Sequence, residues 1–303
     1  MIVSDTSKVV LQSHESNVAS ALVKAVEAWT TPYDIRPEGV FGSKAVVKCG
    51  DVTVSSDALD VEFTVPFDDD MEPNEAEIIV YNLSDKTIKR LKKKAAISIE
   101  AGYQDDTGVI FSGYVSKVTT QFDGADKVTT IKALDDIKKH NLKSTTFAAG
   151  TKASVILKNL IKKTGIPIAV FKVRRDHTYK DSQTVEGNLM SEIKRYAEVC
   201  GISVYVSKGK VYARYIKQGD NLNFTVSVDT GMIGSPTSYT EEITAEDFED
   251  TIDGYEVEML LQHRISAGGI VKLDSRIANG TYRVCSGEHR FSPDEAITVV
   301  KMY

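Results

Sequence analysis

Ile97, Ile99 and Ala101 alternate with Ser98, Glu100 and Gly102. That two-residue period constrains the chain more than any other feature, because it sets one face of residues 96–103 against a core and the other toward water. The pattern recurs close by. Residues 109–121 and 127–133 are alternating runs on either side of FDGAD at 122–126. Asp-Gly between such runs is a strong hairpin signal. Residues 43–48, 58–65 and 77–81 read as further strands. One short helix is predicted inside this block, over 85–93, with Ser84 as its cap, acid early and lysine late. Antiparallel strands joined by short turns predict a barrel or a sandwich.

The remainder divides into regions of different character. Residues 1–40 are expected to form an N-terminal helical arm. Val18, Ala21, Leu22, Ala25, Val26 and Trp29 fall on one helix face over 16–29, and the turn-rich TTPYDIRPEG follows. That face packs either on its own domain or on a neighbouring subunit. Residues 41–144 form the first β-barrel domain in this reading. Residues 145–222 form an α+β insert. Its helices are expected at 151–164, stopped by Gly165 and Pro167, and at 188–200, closed by Gly201. A hairpin over Ser207, Lys208 and Gly209 follows them, joining 203–206 to 210–215. Residues 223–303 form a second β-barrel domain, which could exchange strands with the first. Its strands are expected at 224–228, 237–244, 253–262, 269–273, 280–289 and 295–301. A turn is expected at 231–236, and the acidic run EEITAEDFEDTID at 241–253 overlaps the first of the later strands and separates it from the next.

Bulk properties exclude several functions. The chain has 303 residues, enough for two or three domains. Its net charge is −6 and its pI about 5.5, which argues against a general nucleic-acid binder and against an anionic-membrane binder. The start lacks the basic and apolar regions of a signal peptide, and no apolar run reaches the ~18–20 residues of a membrane helix. Folding and first use in the cytoplasm are therefore expected, without stable membrane insertion. Cys49, Cys200 and Cys285 form no CxxC pair and read as reduced thiols.

Catalytic constellations are scarce. His14, His140, His177, His263 and His289 never take the spacing of a zincin helix, and Walker A, GxGxxG and GxSxG are absent. Asp68, Asp69 and Asp70 are consecutive, so their side chains diverge, and a solvated loop suits them better than a Ca²⁺ site. Paired glycosidase carboxylates would want aromatic neighbours, yet Trp29 is the single tryptophan. The basic runs KRLKKK at 89–94 and KVRR at 172–175 read as solvated faces, the first with an alternative role against an acidic neighbouring subunit. No catalytic, cofactor-binding or metal residue is assigned, and no cofactor is expected.

Four phrases then stand together in order. EIIVYNL at 77–83 runs into the helix at 84–91. ISIEAGYQDDTGVIFSGYV spans 97–115. TVEG at 184–187 leads through Leu189, Met190 and Ile193 to Tyr196, Ala197, Cys200 and ISVY at 202–205. GMIGSP at 231–236 precedes GTYRVCSGEH at 280–289. As a set they resemble the phage tail baseplate hub proteins of contractile phages, prophages and phage-tail-like bacteriocins, with a more distant likeness to the hub part of the type VI secretion spike. The likeness covers most of residues 41–303 and leaves 1–40 outside.

The resemblance implies a mainly β fold with an α+β insert. Two tube-like antiparallel β-barrel domains would flank the insert, and a homotrimer would form a pseudo-six-fold ring. It implies a structural baseplate hub, not an enzyme, that adapts a six-fold tail tube to a three-fold central spike. The implied partners are two further copies of the chain, a separate spike protein, the tail tube protein and other baseplate or tape-measure proteins, with no specific nucleic-acid binding. The location would be the baseplate of a virion or tail-like particle. The alternatives are a tail-associated peptidoglycan hydrolase or a type VI spike-like secretion component. Acidic residues at 68–70 and 241–253 could line a lumen that repels phosphates, or lie on the outer surface.

Overall fold

A computed structural model describes residues 42–103, 105–135, 141–245 and 248–303, with the backbone alone at 141, 241–245 and 248–252. The predicted helix at 16–29 lies outside the described residues, as do His14, Trp29 and His140.

The first β block contains β1 (Ser43–Cys49), β2 (Val52–Ser55), β3 (Val61–Asp68), β4 (Glu75–Tyr81), β5 (Ala96–Tyr103), β6 (Asp106–Asp123) and β7 (Asp126–Leu134). Helix α1 (Asp85–Ile88) lies between β4 and β5 and is one turn long, shorter than expected. Ser84 caps it by accepting from the Thr87 amide. The chain then turns so that Leu91 enters the core, and Lys94 takes a left-handed conformation at φ 68°. Burying Leu91 ends the helix before the lysines can extend it.

The insert holds β8 (Asn141–Phe147), α2 (Ala153–Lys163), β9 (Ile168–Phe171), β10 (Gln183–Asn188), α3 (Leu189–Cys200), β11 (Ser203–Ser207) and β12 (Lys210–Arg214). Asn188 caps α3 by accepting from the Met190 and Ser191 amides, and Gly201 ends it at φ 64°. The apolar stripes of the two helices face each other: Ile156, Leu157, Leu160 and Ile161 meet Leu189, Ile193 and Tyr196 in one core. Strands β8, β9 and β10 escape the sequence reading because they are short and lack clean alternation.

The closing block contains β13 (Asp220–Val226), β14 (Met232–Ala245), β15 (Phe248–Leu260), β16 (Gly269–Asp274), β17 (Asn279–Phe291) and β18 (Ala296–Met302). The expected turn at 231–236 is instead the bulged start of a strand. The turn itself is the 3₁₀ segment Val228–Thr230 ending on Gly231 at φ 97°. Gly234 and Pro236 sit where the β14–β15 register shifts between Ile233 and Thr237. An edge strand tolerates both residues at a bulge, so their turn signal misleads. The acidic run does not separate two strands either. Its described residues belong to β14 and β15, which pair from Thr240 opposite Asp253 to Ala245 opposite Phe248. This ribbon extends beyond β18, whose pairing with β15 stops at Tyr255 opposite Met302.

The two β blocks share one hydrogen-bonded sheet. Its order is β14-β15-β18-β17-β3-β4-β7-β6-β5-β1-β2, with β16 joined to β17 and β13 joined to β16. Most pairings are antiparallel, while β9–β12 and β13–β16 are parallel. The junction is β3 against β17, in register from Phe63 opposite Phe291 to Asp68 opposite Ser286. Burial follows the pleat in β3, where Val61, Phe63, Val65 and Phe67 point inward and alternate with half-buried or exposed residues. Phe63 stacks on Phe291 with ring centres 5.2 Å apart. The first core accordingly takes in Leu261, Phe291 and Ala296 from the closing block, and the closing core takes in Phe67 from β3 and Tyr205 from the insert.

Gly287 marks how tightly the junction is packed. A Cβ there would sit 2.4 Å from the Val299 carbonyl oxygen and 2.6 Å from the Phe67 ring. Backbone cannot yield as a flexible side chain does, so Gly287→Ala should cost ~1–3 kcal/mol in urea unfolding. A loss below ~0.5 kcal/mol would show that β17 yields freely at this point.

Candidate functional site: the polar seam between modules

With catalytic motifs missing from the sequence, the chemistry of the molecule concentrates where its modules meet. Arg283 on β17 is buried, and its Nη1 pairs with the Asp69 carboxylate, which lies just past the end of β3. Nη1 also donates to the Tyr303 hydroxyl at 3.0 Å, and Nε donates to the Gln218 carbonyl at 3.0 Å. The Tyr303 hydroxyl donates in turn to the Ile216 carbonyl at 3.3 Å. One guanidinium thus joins the first block, the closing strand and the link from the insert. Burial raises the Asp69 carboxyl and the Arg283 charge opposes that rise, while burial pushes the Tyr303 phenol up to about 12.

The three consecutive aspartates do diverge. Asp69 turns inward to Arg283. Asp68 accepts from the Asp70 amide at 3.3 Å and from Asn74 Nδ2 at 3.4 Å, and burial, with the Asp70 charge, lifts it to about 6. Asp70 accepts from the Glu72 amide at 2.6 Å. Among the described residues no three His, Cys, Asp or Glu side chains converge on one point. Asp69 is also committed to Arg283, which leaves it unable to line a lumen.

A second buried guanidinium fastens the insert. Arg214 on β12 donates from Nη2 to the Tyr205 hydroxyl at 2.6 Å and to the Gly268 carbonyl at 3.0 Å, and Nη1 lies 3.0 Å from Asp220. Tyr212 stacks on Tyr205 at 5.3 Å and lies under the same guanidinium. The tip of the β11–β12 hairpin then enters the β region. Lys208 and Gly209 both have positive φ, 49° and 72°, as a tight two-residue turn requires. Lys208 Nζ donates to the His263 carbonyl at 2.5 Å, and burial lowers its pKa to about 8.

His289 lines the same small enclosed space as Lys208, with Phe67, Phe111 and Ser266. It is not the strand-end residue expected from sequence: it lies within β17 and is fully buried. Its Nδ1 is 2.8 Å from Thr298 Oγ1, which accepts from the Gln262 amide at 3.0 Å. Nearby, Asp106 at the start of β6 takes His263 Nε2 at 3.0 Å and Arg264 Nη1 at 2.7 Å. The Arg264 hydrogen bond is the main cause holding Asp106 near 2.

The basic runs resolve in two ways. Lys89, Lys92, Lys93 and Lys94 are exposed, and Arg90 forks onto Asp51. In the second run, Arg174 covers the Tyr215 ring at 4.5 Å, while Arg175 donates to the Glu198 and Val199 carbonyls at the end of α3. An arginine capping last-turn carbonyls is a local signal that the reading of a solvated face overlooks. Cys49 and Cys200 are buried, and burial pushes Cys200 up to about 11, so neither resembles an activated nucleophile. The seam supplies no paired nucleophile and base. It orders modules against one another.

The family model described as "Baseplate hub gp41" matches residues 74–292, which run from just before β4 to just past the end of β17. The chain belongs to the baseplate hub gp41 family. It is a structural phage tail protein and not an enzyme. No curated protein matches it closely enough to add to this. The fold of this hub chain recurs in solved structures at very low identity. The 43 kDa tail protein of prophage MuSo2 from Shewanella oneidensis is 8% identical over 86% of this chain and 97% of its own, with a TM-score of 0.62. A tail protein from Neisseria meningitidis gives 8%, 86%, 96% and 0.60. An Escherichia coli component of the type VI secretion system, itself described as similar to the T4 tail proteins gp27 and gp5, gives 9%, 84%, 76% and 0.58. No described helix of this hub protein is long and apolar enough to cross a membrane.

Two outcomes test the seam. Arg283→Met leaves the mostly enclosed Asp69 without its partner and should cost ~2–4 kcal/mol in urea unfolding, whereas the double variant with Asp69→Leu should recover much of that loss. The second test concerns pH. Burial, then the Lys208 charge, drives the His289 pKa from 6.5 down to about 3. The unfolded chain takes this proton near pH 6.5 and the folded chain does not. The His289 contribution therefore falls by ~1.4 kcal/mol per unit as pH drops below 6.5. Asp68 opposes it between about pH 4 and 6, because there the folded chain keeps a proton that the unfolded chain releases. Comparison with His289→Gln at fixed pH isolates the histidine: the variant should gain on the wild type steadily from pH 6.5 to 4. A constant difference would rule out a buried neutral His289.

Proposed function

We propose that this chain is the central hub of a contractile phage tail or phage-tail-like particle, and that three copies adapt a six-fold tail tube to a three-fold spike. The observation that carries the reading is the β3–β17 junction. Two β blocks are fused into one sheet by backbone pairing, so each chain supplies two consecutive segments of a ring. Three chains supply six such segments while keeping three-fold symmetry, and the two blocks act as tube-like domains. Among the described strands, β2, β14 and β13, the last at the end of the β16 branch, are each paired on one side only. Edge strands left open in one copy are natural joints for the next.

The partners are two more copies of the chain, a separate spike protein below, the tube protein above, and other baseplate or tape-measure proteins alongside. The particle assembles in the host cytoplasm. Affinity comes from large repeated interfaces, and the buried polar seam keeps each subunit one rigid piece while the tail contracts. The acidic balance of the chain, −6 at neutral pH, suits a part that passes cargo without binding its phosphates.

Light scattering of the full chain tests the trimer. Three copies of 33.3 kDa give 3 × 33.3, about 100 kDa. A stable dimer or tetramer across the micromolar range would contradict the adapter role.

A further inference from the structure

Beside the sheet junction, the insert carries an unclosed edge of its own. In its three-stranded sheet the order is β11-β12-β9, so β9 is paired on one side only. Its partner β12 runs parallel, with the Val211 amide donating to the Pro167 carbonyl at 2.9 Å and the Lys172 amide donating to the Ala213 carbonyl at 2.7 Å. An open groove of about 680 Å³ lies between this strand and α2. Ile166, Ile168 and Phe171, all half-buried, give it an apolar floor. Lys158 and Lys162, one helical turn apart on α2, form its rim and are exposed. Val155, 47% exposed, lies on the same α2 face one turn before Lys158.

The charges at this rim are not spent inside the chain. Lys158 lies 5.3 Å from the centre of the Phe171 ring, and neither Lys158 nor Lys162 has a carboxylate partner among the described residues. Lys172 stands exposed at the end of β9. The rim belongs to a basic insert: residues 145–222 carry 14 lysines and arginines against 6 aspartates and glutamates, on a chain of net charge −6. A free strand edge offers backbone hydrogen bonds, a groove beside it receives every second side chain, and the rim selects charge.

We propose that the β9 edge is a docking site for an extended, acidic peptide segment of another protein. The segment would add as a fourth strand. Alternate apolar side chains would rest on Ile166, Ile168 and Phe171, and intervening carboxylates would meet Lys158 and Lys162. This goes beyond the hub reading and does not depend on it, because the groove lies wholly within the insert.

Fluorescence anisotropy with the full chain tests it, using labelled nine-residue peptides in which valine alternates with glutamate or with lysine. The glutamate peptide should bind saturably and weaken with salt, and the lysine peptide should bind about tenfold or more weakly. N-methylation of alternate amides in the glutamate peptide should abolish binding. The Lys158→Glu/Lys162→Glu double variant, altered only at exposed positions, should reverse the charge preference. Equal binding of the two peptides, or no binding of either at millimolar concentration, overturns the proposal. So does a fall in solution mass on the double substitution, which would make the groove a contact between copies of the chain. A wrong oligomeric state with intact peptide binding would instead count against the hub reading alone.

Discussion

The pairing of β3 with β17 is the constraint on which the rest of the molecule depends. These strands lie far apart in sequence, at Val61–Asp68 and Asn279–Phe291. Their pairing closes a loop that contains the whole insert. Closing so long a loop carries a large entropic cost, which local hairpins avoid. The contacts that offset it lie at the junction itself: Phe63 on Phe291, Phe67 against His289, and the Asp69–Arg283 pair just beyond the last backbone pairing. If β17 left β3, the two β blocks would each show a raw edge and the closing core would lose Phe67.

Apolar burial alone would hold the modules together without fixing how they align, because it is non-directional. The seam supplies direction. In three places a cation from one element donates to a backbone carbonyl of another: half-buried Lys208 to His263, and buried Arg214 to Gly268 and Arg283 to Gln218. Each carbonyl sits at one position along its strand or loop, so a slip of a single residue would leave a charge buried without a partner. Such a slip is costly, whereas a slip between two greasy surfaces is cheap. In this tail protein the seam's polar groups are spent on alignment between modules.

Much of the fold could be read from the residues. The alternation at Ile97, Ile99 and Ala101 yields β5 with its bounds intact, and Asn188 and Gly201 mark the two ends of α3. The misreadings share a physical cause. Gly234, Pro236 and the described acids of 241–253 carry turn-like signals, yet they sit on β14–β15, an edge ribbon where one side of the backbone needs no partner. On such a ribbon the two-residue period need not be written in hydrophobicity. The seam was hidden for a different reason. Asp69, Lys208, Arg214 and Arg283 look like surface residues in sequence, and only the long-range pairing of β3 with β17 and the docking of the β11–β12 tip bring them inside. His289 illustrates the point: strand alternation places it, but nothing local distinguishes a histidine that meets solvent from one that meets Phe67 and Thr298.

The open edges of the described strands are protected unequally, and that difference bears on assembly. β14 carries a bulge, a proline and a run of like charge, all features that discourage indiscriminate strand pairing. β2 is only four residues long, which limits what can add to it. β9 is as short and its register against β12 shifts at Ala169, but it has no proline within it and an apolar floor beside it. Lysines at its rim add selection by charge, because they repel cationic strands and attract acidic ones. Length and bulges block strand addition of every kind, whereas charge discriminates among partners. At β9 the lysine rim therefore adds selection by charge to the limits of length and register that it shares with the sheet edges.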